Sequence, residues 1–151
     1  MRSFEIESRV RIRPEELWDI VVTPAGVNAE FRPFLRMTFP PEVGSLADTW
    51  RPNETLFRSW ILLFGILPVE YDDLTFVEVD VGHRFLERSQ MFTQRVWQHE
   101  REILPDGDGA RIIDRLTVES RIPMLEPIQV PIFRLVFRYR HARIRKLYGR
   151  A

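Results

Sequence analysis

A chain of 151 residues is long enough for one domain with a sizeable core, and its 44% of apolar residues argues against disorder. Lys plus Arg and Asp plus Glu balance at 22 each, which argues against a uniformly charged surface that attracts nucleic acid or an anionic membrane. There is no cysteine, which excludes disulfides, thiol nucleophiles and thiolate metal sites and is consistent with a cytoplasmic location.

Neither a transmembrane segment nor a signal peptide is predicted. The longest apolar run, 60–69, is interrupted by Gly65 and Pro68 and is shorter than the roughly 20 residues that a bilayer requires. The N-terminus alternates charged and apolar residues, unlike a signal peptide. All basic residues except Lys146 are arginine, which suggests a GC-rich bacterial genome. We therefore expect a soluble bacterial protein with one domain over residues 1–151.

The first 35 residues predict a strand followed by two short helices. Apolar residues at Phe4, Ile6, Val10 and Ile12 alternate with charged residues, as in a strand with one buried face. An early proline and two glutamates at 13–16 then predict a helix start, and a second short helix is predicted for 25–35.

Strands are predicted for the middle of the chain. Residues 57–64 are apolar enough for a buried strand or a buried helix; we prefer a strand, but periodicity alone leaves both open. Residues 71–81 and 85–92 predict two strands on either side of a turn at 81–83.

The clearest unit is a β-hairpin formed by 94–104 and 111–122, with a loop rich in Gly and Asp between them. If residues 104 and 111 face each other, one mostly apolar face carries the cross-strand pairs Trp97–Val118, His99–Leu116, Arg101–Asp114 and Ile103–Ile112. The opposite, solvated face carries the pairs Glu100–Arg115 and Gln98–Thr117. This register predicts that His99 faces inward beside Trp97 and that Glu100 faces solvent.

A long helix is predicted at the C-terminus, from around residue 124 or 131 to 148, with Gly149 as its stop. Residues 137–151 contain six Arg or Lys and no acid. The helix dipole favours cations there, and an acidic partner or membrane surface is the alternative explanation.

The order of these elements resembles the START-like, or SRPBCC, superfamily, which includes the birch-pollen allergen and bacterial polyketide cyclase/dehydrase-like proteins. The segments that carry the resemblance are 94–100 (QRVWQHE), 109–115 (GARIIDR) and 137–145 (FRYRHARIR). The resemblance implies an α+β helix-grip fold, in which a curved antiparallel β-sheet wraps around the C-terminal helix. It also implies an apolar cavity of at least a few hundred Å³ between sheet and helix, where such proteins hold a hydrophobic small molecule.

Aromatic and polar residues near these segments form the predicted ligand site. Aromatic residues at such positions either line a pocket or fill a core, and Phe64 belongs to the same group. The residues that we predict to bind the ligand are Trp60, Phe76, Trp97, His99, Arg101, Leu116, Phe133 and Phe137.

His99 and Asp114 are the candidates for acid–base chemistry. A histidine in a cavity can orient a ligand or transfer a proton, but it can equally join strands through hydrogen bonds. Asp114 is expected to form an ion pair with Arg101, which either anchors a polar ligand group or closes the end of the sheet.

No cofactor and no metal site are predicted. The three histidines do not have metal-ligand spacing, and there is no phosphate-binding glycine loop or Gly-x-Ser-x-Gly motif. Residues 106–109 (DGDG) resemble part of a calcium loop but lack its other ligands, so we interpret them as a hairpin turn.

Three functions are consistent with the sequence. The first is binding of a hydrophobic small molecule such as a lipid, an isoprenoid or an aromatic polyketide. The second is an enzyme that uses the same cavity, a cyclase or dehydratase. The third is a protein-interaction module that acts through the basic C-terminal helix. Ligand identity and oligomeric state are left open.

Overall fold

A computed structural model of the protein describes residues 1–48 and 50–149. Its elements in chain order are β1 (Arg2–Val10), α1 (Pro14–Val21), α2 (Pro24–Phe31), β2 (Leu35–Met37), β3 (Thr55–Leu63), β4 (Leu67–Asp80), β5 (Arg84–Met91), β6 (Gln94–Asp106), β7 (Gly109–Ser120), a 3₁₀ turn (Pro123–Leu125) and α3 (Glu126–Tyr148). The seven antiparallel strands have the order β1-β7-β6-β5-β4-β3-β2 and curl into a half-barrel around α3. The predicted α+β helix-grip fold is confirmed.

The β6–β7 hairpin has the predicted register, residue for residue, from Trp97–Val118 to Leu104–Arg111. His99 is buried on the inner face, and Glu100 lies half-buried on the outer face, where Arg84 and Arg115 each donate to it at 2.7 Å. Residues 106–109 form the predicted turn, with Gly107 at φ +58°.

The two short helices begin where the sequence places their signals. Pro14 opens α1, with acids in its first turn. Thr23 caps α2, because its hydroxyl accepts a hydrogen bond from the Gly26 amide at 3.0 Å. The prediction that the second helix extends to residue 35 is wrong: α2 ends at Phe31. The next residue, Arg32, precedes a proline and has the extended backbone that this position favours.

The segment 57–64 is a strand, as preferred. It forms most of β3 and pairs with β2 on one side and β4 on the other. Phe64 lies beyond the strand, in the turn to β4, with a left-handed φ of +53°.

The terminal helix α3 buries only its second half. Phe137, Arg140, His141 and Ile144 are buried, whereas Ile132 and other apolar residues of the first half are exposed. The first half covers a cavity rather than packed side chains, which explains this uneven burial. No described helix is both long and apolar enough to cross a membrane.

Candidate ligand-binding cavity

A cavity of about 700 Å³ lies between the concave face of the sheet and α3. Side chains from both short helices, from β2 to β6 and from α3 form its wall, and most of them are apolar. The predicted cavity of a few hundred Å³ is therefore confirmed. Its volume lies within the range of small-molecule sites, about 300–1,000 Å³.

Most of the predicted ligand-site residues line this cavity. The ring of Trp97 lies 5.1 Å from that of Phe133, centroid to centroid, and 6.0 Å from that of Phe137. His99 lies edge-on between Phe137 and Phe85. The predicted residues in the wall are Phe76, Trp97, His99, Arg101, Phe133 and Phe137.

Trp60, Phe64 and Leu116 lie elsewhere. Side chains alternate along β3, so Ser59 is buried on the inner face and Trp60, 42% exposed, packs on Tyr71 outside. Phe64 is exposed in the turn after β3. Leu116 is buried in the solid core behind Trp97, on the neighbouring strand β7.

Asp114 is the centre of a buried polar network behind the cavity wall. Its Oδ1 accepts hydrogen bonds from His99 Nε2 at 2.6 Å and from Arg101 Nε at 2.7 Å. Its Oδ2 accepts from Arg101 Nη2 at 2.8 Å and from His141 Nε2 at 2.7 Å. His141 Nδ1 lies 2.7 Å from the hydroxyl of Ser8. These contacts give Asp114 a positioning role, because it holds the inner faces of β6 and α3 together.

Glu30 completes the network, and sequence reasoning missed it. It is fully buried on α2, where its carboxylate accepts from Arg101 Nη1 and Nη2, both at 2.8 Å, and from Arg140 Nε at 3.0 Å. A signal was present: Glu30 lies at helical spacing from the buried residues Gly26 and Val27.

The network holds its carboxylates ionised. Burial opposes the charge of Asp114, but Arg101, His99 and the hydrogen bond from His141 outweigh it and hold the pKa of that carboxyl well below its usual range. Burial likewise opposes the charge of Arg101, but Asp114 and Glu30 raise its pKa. The pKa of Glu30 is also lowered, against burial, by Arg101 and Arg140.

A second polar group, also missed, lies in the cavity wall itself. Asp72 on β4 and Glu87 on β5 both line the cavity and are both buried. Ser89 Oγ donates to Glu87 Oε2 at 2.7 Å, and Glu87 Oε1 lies 3.8 Å from His99 Nδ1. Among the described residues, nothing donates a hydrogen bond to Asp72 Oδ1. The signal was the alternation on β4, which places Asp72 on the same face as Leu74.

The pKa values of the two carboxyl groups are shifted in opposite directions. Burial, then the charge of Glu87 and a hydrogen bond with it, raise the pKa of Asp72 well above its ordinary value of 3.8. Burial also opposes ionisation of Glu87, but interaction with His99 and the hydrogen bond with Asp72 lower its pKa. The pKa values of the two neighbouring carboxyls are thus shifted apart, as in carboxyl pairs that share one proton.

The basic residues of α3 largely serve the fold. Arg140 binds Glu30, Arg143 Nε donates to the Ala29 carbonyl, and Arg145 Nη1 donates to the Ser8 hydroxyl. Arg138 and Lys146 are exposed, and Arg150 lies outside the described residues. Fewer basic side chains of α3 are therefore available for the exposed cluster that an interaction module would require.

Metal ligands are not grouped in the part of the chain that the structure describes. Across residues 1–48 and 50–149, no three His, Cys, Asp or Glu side chains are arranged to hold a metal ion.

Solved structures with the same fold include three that differ widely in sequence. Protein CV1439 from Chromobacterium violaceum matches with a TM-score of 0.72 and 10% identity, over 99% of this chain and 98% of that one. Ara h 8.0201 matches at 0.58 and 11%, over 93% and 95%. DynU16, a protein of the dynemicin biosynthetic locus, matches at 0.59 and 15%, over 93% of this chain and 46% of that one. Identities this low show a shared fold alone, and that fold is compatible with the START-like superfamily.

A sequence-level relationship comes from a family comparison. No curated protein matches the chain. Residues 8–148 match the family described as "Domain of unknown function (DUF8410)", which covers nearly the whole chain. The protein therefore belongs to the DUF8410 family.

Proposed function

We propose that the protein is a START-like (SRPBCC) domain that binds a hydrophobic small molecule, such as a lipid, an isoprenoid or an aromatic polyketide, in the cavity beneath α3. The observation that carries the proposal is the apolar cavity of about 700 Å³. Protein interiors are normally packed as densely as organic crystals, with few voids larger than a water molecule, so a void of this size is unusual. The chain also shares its fold with DynU16, a protein of the dynemicin biosynthetic locus, which is consistent with a biosynthetic small molecule as one ligand class.

The apolar wall favours an apolar ligand, which would supply van der Waals contacts that side chains facing an empty cavity lack. Atoms facing a void forgo dispersion contacts, and an apolar ligand restores them. Phe76 on β4, Trp97 on β6 and Phe133 on α3 present aromatic surface from different elements, so a flat or branched hydrocarbon would touch several of them.

Filling the cavity tests the proposal. We expect Val136→Trp, on the cavity side of α3, to weaken binding of an apolar fluorescent dye about tenfold or more, because the larger side chain occupies the ligand space. Leu147→Trp is the matched control, since Leu147 lies on the same helix and is 41% exposed away from the cavity. Fluorescence titration measures both.

Two outcomes would contradict the proposal: no dye binding by the unmodified protein, or equal loss of binding in both variants. Mass spectrometry of organic extracts from protein purified out of its native host then identifies the ligand. A molecule that is retained by the unmodified protein and lost from Val136→Trp is the expected result.

A second candidate is an enzyme, a cyclase or dehydratase acting in the same cavity. The observation in its favour is that two buried carboxyls, Asp72 with a raised pKa and Glu87 with a lowered pKa, lie in the cavity wall together with His99. General acid–base catalysis can use such a pair, with the protonated group as acid and the ionised group as base. Asp114 takes no direct part in this version, because its oxygens are occupied by Arg101, His99 and His141. Recovery of a converted rather than unchanged ligand after incubation would favour the enzyme.

A further inference from the structure

Three neighbouring strands place polar side chains side by side in the cavity wall. Asp72, Glu87 and His99, which we call the polar cluster, lie on β4, β5 and β6. Asp72 Oδ1 receives no hydrogen bond from any described residue, although the side chain is buried. His99 Nε2 donates to Asp114, and its Nδ1 lies 3.8 Å from Glu87 Oε1.

The proton that Asp72 holds does not alter this pattern. Asp72 and Glu87 share a hydrogen bond, and the raised pKa of Asp72 together with the lowered pKa of Glu87 favours the proton on Asp72. That O–H is directed to Glu87, and the remaining oxygen, Oδ1, is a carbonyl-type acceptor. A buried acceptor without a donor is costly, so a ligand that supplies the donor gains affinity.

The charges around the cavity disfavour an anion beside this cluster. The cations Arg101 and Arg140 are balanced by Glu30 and Asp114. Glu87 has no such counter-charge in the network, apart from the imidazole of His99. A ligand carboxylate near Asp72 would therefore meet like charge in a poorly solvated place.

We propose that the cavity selects apolar molecules whose head group donates hydrogen bonds, a hydroxyl or an ammonium, and that Asp72 Oδ1 accepts from this group. The inference rests on the proposed binding function and narrows its ligand class. An ether cannot supply the donor, and a carboxylate brings the wrong charge. The apolar remainder of the molecule lies against the aromatic wall.

Arg140 is the side chain in the cavity wall that would favour an anionic head group. It lines the cavity, and its guanidinium lies 4.5 Å from the ring centroid of Phe31 and 4.8 Å from that of Phe137. Its Nε already donates to Glu30 at 3.0 Å, so its charge is partly neutralised. A fatty-acid ligand would place its carboxylate here, which makes a carboxylate the informative comparison.

Ligands that share one alkyl chain and differ only in the head group test the proposal. Displacement of an apolar fluorescent dye by 1-decanol, decylamine, decanoate and decyl methyl ether would be measured at neutral pH and one ionic strength. We expect the alcohol or the amine to bind about tenfold tighter than the ether, the factor that one additional hydrogen bond supplies. Decanoate should bind no tighter than the ether. Tighter binding by the amine than by the alcohol would identify the head as a cation.

Two substitutions of Asp72 test whether this residue causes the preference for the alcohol over the ether. Asp72→Asn keeps a carbonyl oxygen and an N–H donor for Glu87, so the preference for the alcohol over the ether should persist. Asp72→Leu has a similar volume and no acceptor, so the preference should disappear while the dye still binds. Thermal unfolding of both variants shows whether they are folded. If Asp72→Leu does not fold, the order of affinities of the four decyl compounds for the unmodified protein still tests the proposal.

The outcomes separate the two proposals. Dye binding with equal affinity for all four heads overturns the inference and leaves the proposed function intact. The strongest binding by decanoate also overturns it and assigns the head group to Arg140. Persistence of the preference in a folded Asp72→Leu variant overturns the role of Asp72. Failure of the dye and of every decyl compound to bind overturns both proposals.

Discussion

At the scale of single residues, His99 belongs to two environments at once. Its Nε2 donates to Asp114 in the buried network, while the ring lies between Phe85 and Phe137 in the cavity wall. Removing the imidazole would leave the buried carboxylate of Asp114 with one donor fewer. The structural role of His99 is therefore measurable without any ligand.

We expect His99→Ala to lower the free energy of unfolding by about 1–3 kcal/mol, because a buried acceptor loses its partner. Denaturant unfolding without ligand, with unchanged slopes, measures this loss. His83→Ala is the control: His83 is partly exposed and binds Glu102 and the Ile103 carbonyl at the sheet surface, so its loss should be below about 1 kcal/mol. Equal losses in both variants would contradict the buried role, and unchanged ligand affinity in His99→Ala would exclude a binding role.

Asp72 also makes stability depend on pH. Its pKa is raised in the folded state, so the folded protein keeps a proton that the unfolded chain loses above its ordinary pKa of 3.8. Stability therefore falls as pH rises from about 4 towards the folded-state pKa, by about 1.4 kcal/mol per pH unit for this group alone.

Asp72→Asn removes this titration, because the amide is neutral at every pH. We expect the variant to be more stable than the parent above pH 4, by a margin that grows with pH until the folded-state pKa is passed. Urea unfolding at intervals from pH 4 to pH 8 measures the margin. A margin that stays constant or shrinks over this range would show that Asp72 is ionised in the folded protein.

At the scale of elements, α3 is held mainly through its second half. Phe137 is 2% exposed and contacts Phe4, Trp97 and His99, whereas Leu135, two residues earlier in the helix, is 67% exposed. The first half of the helix instead roofs the cavity. The helix thus combines an anchored segment with one that has few packing partners.

This division predicts unequal costs of truncation along one helix. Phe137→Ala should destabilise the protein by about 3–5 kcal/mol, since it removes a buried ring and enlarges the void. Leu135→Ala should cost less than about 1 kcal/mol because Leu135 is 67% exposed and has little packing to lose. Equilibrium unfolding of both variants provides the comparison. Similar costs would mean that the first half of α3 is packed as tightly as the second.

At the scale of the whole molecule, the inner face of the sheet is divided between two tasks. The strands β1 and β7 carry solid core and the buried network, while β3 to β5 and the first half of α3 enclose the cavity. Strand β6 lies at the boundary between the solid core and the cavity. Its inner face presents Trp97, His99 and Arg101 in succession, and each contacts both regions. Ligand space and fold stability therefore meet on one strand.

Local patterns determined the order of elements and the hairpin register. Alternation in a strand assigns each side chain to one face, and the turn at 106–109 sets which residues pair, so Trp97–Val118 and Arg101–Asp114 followed from sequence alone. Helix starts at Pro14 and Thr23 depend on single residues and their immediate neighbours. These features involve contacts between residues close in sequence or across one turn, where the pattern carries the information.

Only the tertiary structure decided what the cavity wall contains. Glu30 and Arg101 are 71 residues apart, and their ion pair exists because the fold brings α2 within side-chain reach of β6. Asp72 and Glu87 become neighbours only through the pairing of β4 with β5, whose register shifts between Phe76 and Glu78. Trp60 faces outward because side chains alternate along β3. The cavity itself is a gap between surfaces that the sequence pattern assigns equally to a solid core. Periodicity reports which face is buried, whereas the distance between two buried faces is set by how the entire sheet curls around α3.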